Sequence, residues 1–159
     1  MRTLPQDPDL LIVACDGAAR GNPGPAGIGA LVSDPSGRVL AEIAEGIGVA
    51  TNNVAEYRAA IAGLARAREL GARRVLVRSD SRLLVEQLSG RWRVKNPSLI
   101  ALHTQVRTLA KRLDSVSYEH VPRELNREAD RLANRGVDAW LDGPGRGHVP
   151  PAPGPGLFG

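Results

Sequence analysis

Acidic side chains close several segments of this 159-residue sequence that read as regular structure. Asp16 follows an apolar run that starts at Leu10, and Asp80 ends the alternating stretch that starts at Arg74. Glu56 and Asp130 fall where two helical patterns begin, each read as lying in a first turn. Carboxylates gathered in one place repel one another, so a cluster of them holds a cation. An all-oxygen set without Cys or His suits Mg²⁺ or Mn²⁺, and two such ions side by side are the usual device for splitting phosphodiesters. Each acid also has a structural alternative. A helix N-terminus favours an anion at Glu56 and Asp130, and Asp80 stands where it can cap a helix beginning at Ser81.

The elements that must position these residues can be read from periodicity and turn chemistry. Leu10 to Ala14 suits a buried strand. Ala26 to Ser33 and Arg38 to Val49 follow as strands, separated by the turn sequence Asp34-Pro35-Ser36-Gly37. Three strands joined this closely predict an antiparallel meander. Val54, Tyr57, Ile61, Leu64 and Ala65 predict a helix over about 53–70, with Thr51, Asn52 and Asn53 as capping candidates and Gly71 as its stop. A fourth strand from Arg74 and a short helix closed by Gly90 come next. A long helix led by Pro97 and capped by Ser98 follows, then a fifth strand from Val116 to Val121 and a last helix from about Asn126. A right-handed crossover would add the fourth strand parallel to the first. Asp16 and Asp80 then share one sheet edge. The expected architecture is α/β: a five-stranded mixed sheet, three antiparallel strands then two parallel additions, with helices on both faces.

Composition narrows the classes. Hydrophobic residues make 42% and charged residues 24%, an ordinary globular balance, and the length suits one domain. No apolar run approaches the ~20 residues that cross a bilayer, and residues 1–7 have no signal-peptide pattern, so a cytoplasmic protein is expected. One cysteine, Cys15, makes no intrachain disulfide, and three scattered histidines do not form a zinc finger. The net charge of +4 rests on 19 arginines and is unevenly spread: residues 58–112 carry 13 basic and 3 acidic side chains, between two net acidic segments. That stretch is a candidate footprint for a polyanion, with solvated helix faces as the alternative. Residues 143–159 hold 6 Gly and 5 Pro and read as a tail or linker, leaving 1–142 as the domain and room for a second domain beyond.

The local sequences around the four acids resemble type 1 ribonuclease H. The motifs are the run Asp16 to Gly29 (DGAARGNPGPAGIG), Thr51 to Glu56 (TNNVAE), Ser79-Asp80-Ser81, Val94-Lys95-Asn96-Pro97, and Asn126 to Ala133 (NREADRLA). Five motifs in the family's order cover nearly the whole globular part. The resemblance implies a ribonuclease-H-like fold and hydrolysis of the RNA strand of RNA·DNA hybrids, leaving 5′-phosphate and 3′-hydroxyl ends. It implies that Asp16, Glu56, Asp80 and Asp130 are the catalytic and metal-binding carboxylates for two Mg²⁺ ions, for which Mn²⁺ can substitute. It further assigns substrate contacts to Gly17, Ala18, Asn22 and Asn52 on the RNA side, to Asn53 and Asn96 in the minor groove, and to Lys95 and Arg123. Glycines at 17, 21 and 24 would let the backbone come close to substrate, with a plain hairpin role as the alternative for Gly21 and Gly24.

Two departures from longer relatives matter. The loop before Asp130, Pro122-Arg123-Glu124-Leu125, is short and has no histidine, so Arg123 is the candidate to take over its part, while His120 reads as a packed or surface strand residue. No basic helix is inserted before Val94-Lys95-Asn96. Hybrid affinity must then come from Arg91-Trp92-Arg93 and the other arginines, with Trp92 read as half-buried. A transposase, integrase or resolvase of the same fold, and an inactive binding module, are the rival readings. The expected partner is the RNA·DNA hybrid, with no membrane, for a protein that acts as a monomer.

Overall fold

The computed structural model describes residues 9–143. The Pro/Gly-rich tail expected over 143–159 lies, from residue 144 on, outside the described residues. Strands β1 (Leu10–Ala19), β2 (Gly24–Ser33) and β3 (Val39–Ala50) are followed by helix α1 (Asn52–Glu69), strand β4 (Arg74–Ser79) and helices α2 (Arg82–Leu88) and α3 (Pro97–Ala110). Strand β5 (Ser115–His120), a 3-10 turn at Arg123–Leu125 and helix α4 (Arg127–Asp142) complete the order. The sheet runs β3-β2-β1-β4-β5. Its first three strands are antiparallel, and β4 and β5 add in parallel, as the sequence predicts.

β2 shows how the two faces are built. Ala30 packs toward Gly63 of α1, whereas Gly27 and Gly29, one position out of phase, face α4. A Cβ at either glycine would run into the carbonyl oxygens of Ala133 or Ala129, so the missing side chains let α4 settle directly on the sheet. α1 covers the other face. Thr51 caps it, its side-chain oxygen accepting from the Val54 N–H at 3.2 Å, a contact worth about 1 kcal/mol. Val54, Tyr57, Leu64 and Ala67 are buried beneath it with Val13, Val75 and Val77 of the sheet.

Three readings of the sequence change. β1 extends to Ala19, five residues past its apolar run, because Gly17, Ala18 and Ala19 pair with Ile28, Gly27 and Ala26 and the ladder needs no hydrophobic side chains. Asn96, not Ser98, caps α3: its side chain accepts from the Ser98 N–H at 2.9 Å, and Pro97 occupies the start of the helix where no donor is needed. α1 begins at Asn52, so Glu56 lies beyond the first turn, which holds no acid, and the helix-dipole alternative for Glu56 is lost.

Candidate active site

Parallel pairing sets Ala14 of β1 beside Arg78 of β4. Two residues further on, Asp16 and Asp80 emerge at one sheet edge. α1 brings Glu56 to the same place because nothing separates it from β1: the Gly17 N–H donates to Glu56 Oε1 at 2.8 Å, and a Cβ on Gly17 would overlap the Ala55–Glu56 peptide. The missing side chain at Gly17 therefore lets α1 come this close to β1. Gly24 likewise abuts the Arg20 carbonyl, and Gly21 turns at φ 100°, so the hairpin alternative holds for both. Asp80 is not a cap, since Ser81 takes that position and its side chain accepts from the Leu84 N–H at 3.2 Å.

Carboxylate oxygens of Asp16, Glu56 and Asp80 all lie within 4.8 Å of one another. Asp16 and Glu56 are 5% and 6% exposed, which removes most of the water that would screen them. Burial pushes the Asp16 carboxyl well above the usual carboxylate range, followed by repulsion from Glu56, a hydrogen bond with the Asp130 side chain, and the charge on Asp80. Burial likewise raises Glu56 against the pull of the Gly17 N–H. Asp80 is raised by burial and drawn back mainly by the Arg123 guanidinium, with a smaller pull from His120. Asp130, from the first turn of α4, joins the three in a cleft of about 450 Å³. A cluster of oxygen ligands whose ionisation is held back chiefly by burial and mutual repulsion fits a hard divalent cation.

Gly17, Ala18, Asn52 and Arg123 line this cleft with the acids. Asn22 is tied to it, its Oδ1 accepting from the Asn52 N–H at 3.0 Å. Asn53, Lys95 and Asn96 are exposed and stand outside it.

A family model described as reverse transcriptase-like matches residues 14–136. The chain is 54% identical over 131 residues to the bifunctional protein Rv2228c of Mycobacterium tuberculosis, covering 81% of this chain and 36% of that one. The solved N-terminal RNase H domain of that protein superposes with a TM-score of 0.79 at 52% identity, over 81% of this chain and 99% of the domain. Ribonuclease HI of Halobacterium salinarum is 44% identical over 123 residues, 77% of this chain and 62% of that protein. The chain belongs to the ribonuclease H family. A ribonuclease H1 from a compost metagenome, LC11-RNase H1, solved in complex with an RNA/DNA hybrid, matches with a TM-score of 0.79 at 40% identity, over 82% of this chain and 99% of that one. The chain spans about a third of the length of the Mycobacterium relative.

On this ribonuclease H scaffold the cleft has further walls that the sequence did not reveal. His120 ends β5 and lines the cleft, because the Val121 N–H donates to the Ser79 carbonyl at 3.0 Å and holds that strand end beside Asp80. Asn134 donates to the Asp130 carboxylate at 3.3 Å and to its carbonyl at 3.0 Å. Its position four residues after Asp130 on a helix was the available signal. Arg20, in the turn after β1, reaches Asp138 at 2.8 Å and joins the hairpin to α4. Asn126, 2% exposed, donates to the Cys15 carbonyl at 3.0 Å and so ties the residue before Asp16 to the turn that starts α4.

The basic stretch is less free than its composition suggests. Arg66, Arg73, Arg78, Arg82 and Arg91 form ion pairs with Glu69, Asp114, Glu119 and Glu86. Trp92 is 45% exposed, beside exposed Arg91, Arg93 and Lys95. Among the described residues no helix is long and apolar enough to cross a membrane.

Proposed function

We propose that this chain hydrolyses the RNA strand of RNA·DNA hybrids at the Asp16–Glu56–Asp80–Asp130 cleft, leaving 5′-phosphate and 3′-hydroxyl ends. The observation that carries this reading is the meeting of three carboxylates, from β1, α1 and the end of β4, within 4.8 Å at a polar cleft. Asp16, between Glu56, Asp80 and Asp130, would bridge two Mg²⁺ ions, for which Mn²⁺ can substitute. Glu56 and Asp80 would complete one site, and Asp130 the other. When bound, such ions lower the pKa of the attacking water and neutralise charge on the leaving oxygen.

The remaining residues bind and orient. The backbone around Gly17 and Ala18, with Asn22 and Asn52, faces the RNA strand, where a ribose 2′-hydroxyl both donates and accepts and so separates RNA from DNA. Asn53, Lys95 and the free amide nitrogen of Asn96 lie off the cleft, where the neighbouring groove of a duplex would pass. Arg123 holds the phosphate near Asp80, its planar guanidinium offering several donors in a fork that matches phosphate oxygens. We read residues 1–142 as the ribonuclease H domain, 143–159 as a tail or linker that can lead to a second domain, and the active species as a cytoplasmic monomer.

The test is cleavage of an end-labelled hybrid alongside the matching DNA duplex, with Mg²⁺ and with a chelator. Metal-dependent cleavage confined to the RNA strand is expected. Cleavage of the DNA duplex, or none at all by folded protein, overturns the reading.

A further inference from the structure

A buried polar chain links α1, which carries Glu56, to the segment that joins α2 and α3. It starts at Tyr57, the residue after Glu56, which is 1% exposed in the core. The Tyr57 O–H donates to Gln87 Oε1 of α2 at 2.5 Å. Gln87 Nε2 in turn donates to the Arg93 carbonyl at 3.3 Å, and the Gln87 backbone carbonyl accepts from the Gly90 N–H at 3.1 Å and lies 3.2 Å from His103 Nε2 of α3. Gln87 is itself 6% exposed. The segment it meets is anchored next door as well: the Arg91 and Trp92 N–H groups donate to the Glu86 carbonyl, and the Arg91 guanidinium pairs with the Glu86 carboxylate.

An apolar side chain of the same length would fill this space without needing partners. The glutamine uses both ends of its amide, one on the helix that carries Glu56 and one on the backbone of residues 90–96. Fully partnered buried amides fix one arrangement among several that packing alone would allow. The arrangement fixed here leaves Arg91, Trp92, Arg93, Lys95 and Asn96 exposed together on one short segment. We propose that Gln87 is a positioning residue: through Tyr57 and the Arg93 carbonyl it holds the 90–96 segment at a set place relative to Glu56, so that this segment grips the hybrid. The inference rests on the proposed hybrid substrate and deepens it. A pinned segment needs no inserted helix, because its groups meet the duplex without first being ordered.

The experiment compares wild type, Gln87→Met and Tyr57→Phe in the full chain. Gln87→Met keeps the side-chain length and removes both amide contacts; Tyr57→Phe removes one buried oxygen and keeps the fold if the larger change does not. Each is read for steady-state cleavage of the hybrid, for the Mg²⁺ concentration giving half activity, and for binding of a labelled hybrid in a chelator by fluorescence anisotropy. Gln87→Met is expected to raise KM and the dissociation constant together, about tenfold, with kcat and half-saturating Mg²⁺ unchanged, and Tyr57→Phe to do the same to a smaller degree. Acrylamide quenching of Trp92 in a Trp140→Phe background should rise in step. A lower melting temperature with unchanged binding makes Gln87 structural only and overturns the inference. A fall in kcat at unchanged KM also overturns it, by placing the effect at the carboxylates. Failure of the wild type to cleave overturns the proposed function instead, while the binding arm still judges Gln87.

Discussion

The acidic cleft and the arginine-rich stretch 58–112 are the two concentrations of charge in this chain, and they are organised in opposite ways. The cleft gathers like charges from four elements distant in sequence, and two of them, Asp16 and Glu56, are buried. The basic groups lie mostly at the surface, and Arg66, Arg73, Arg78, Arg82 and Arg91 among them have acids beside them, at Glu69, Asp114, Glu119 and Glu86. Exposed pairs of this kind contribute about 0–1 kcal/mol each and cancel much of the field that the composition promises. Buried charge without an opposite partner is far more costly, and a fold keeps it where a cation is to be held. Charge left unbalanced by the fold is therefore a better pointer to chemistry than charge counted along a segment.

The sharpest way to break the comparison is to remove one of the crowded charges. Asp16→Asn should lower hybrid cleavage by at least about a thousandfold, beyond the 10²–10³ typical of losing a single transition-state donor, because both proposed ion sites lose a shared ligand. Its melting temperature in chelator should match or exceed that of wild type, since the neutral amide relieves repulsion from Glu56 and Asp80. A variant with full activity, or one that is active but less stable, would mean that Asp16 is an ordinary structural acid.

Next in size is the contact that brings Glu56 into the cluster. Gly17→Ala puts a methyl group into the Ala55–Glu56 peptide, and backbone cannot rotate away as a side chain can. A loss of about 3 kcal/mol in urea unfolding is expected, with cleavage reduced in the folded fraction as well. If Gly17→Ala is as stable as wild type, the tight packing of α1 on β1 does not hold.

Much of the cleft was legible because strand order is. Once a right-handed crossover adds β4 parallel to β1, Asp16 and Asp80 must leave the sheet together. Glu56 was found through its motif, but its place in the helix was misjudged by one residue, enough to move it out of the first turn, since capping alone could not say whether α1 begins at Asn52 or Asn53. Asn134 was readable in principle from its helical spacing to Asp130. The pair Arg78–Glu119 across β4 and β5, and Arg73–Asp114 just before both strands, were not, because they depend on a β4–β5 register that no local pattern encodes. Nor was the Tyr57–Gln87 bond, since helical periodicity assigns Tyr57 to the core and says nothing of where its hydroxyl ends.

A third test titrates the same contrast. For Asp16, Glu56 and Asp80 the folded pKa lies above the unfolded one, so the native state binds more protons than the unfolded state. Metal-free stability should then fall as pH rises from about 4, the unperturbed carboxylate value, through the neutral range. Asp34 and Glu128, which are lowered and exposed, act with the opposite sign below that window. Mg²⁺ should flatten the decline by binding the native state alone, raising the melting temperature most at the higher pH. Thermal melts across pH, with chelator and with Mg²⁺, would show it; a metal-free stability that climbs steadily to pH 8 would mean that the acids are already balanced within the fold.

The smallest expected effects fall on the arginines, and they decide whether pairing or composition sets the footprint. Arg73 and Arg78 face Asp114 and Glu119 at 3.0 and 2.8 Å, so a phosphate would have to compete with a carboxylate for each guanidinium. Arg93, exposed on the segment held by Gln87, forms no such ion pair among the described residues. Replacing Arg93 by Ala should weaken hybrid binding and make its dependence on salt shallower by about 0.9 in the log-log slope, the value for one lost phosphate contact on B-form duplex. Arg73→Ala and Arg78→Ala should leave that slope unchanged and shift stability by less than about 1 kcal/mol. The measurement is hybrid affinity in chelator over a series of salt concentrations for the three variants. Equal slope changes for all three would show that the paired arginines exchange their carboxylates for phosphates at no net loss. Net charge along residues 58–112 would then be the better guide to binding, and the contrast with the cleft would apply to the acids alone.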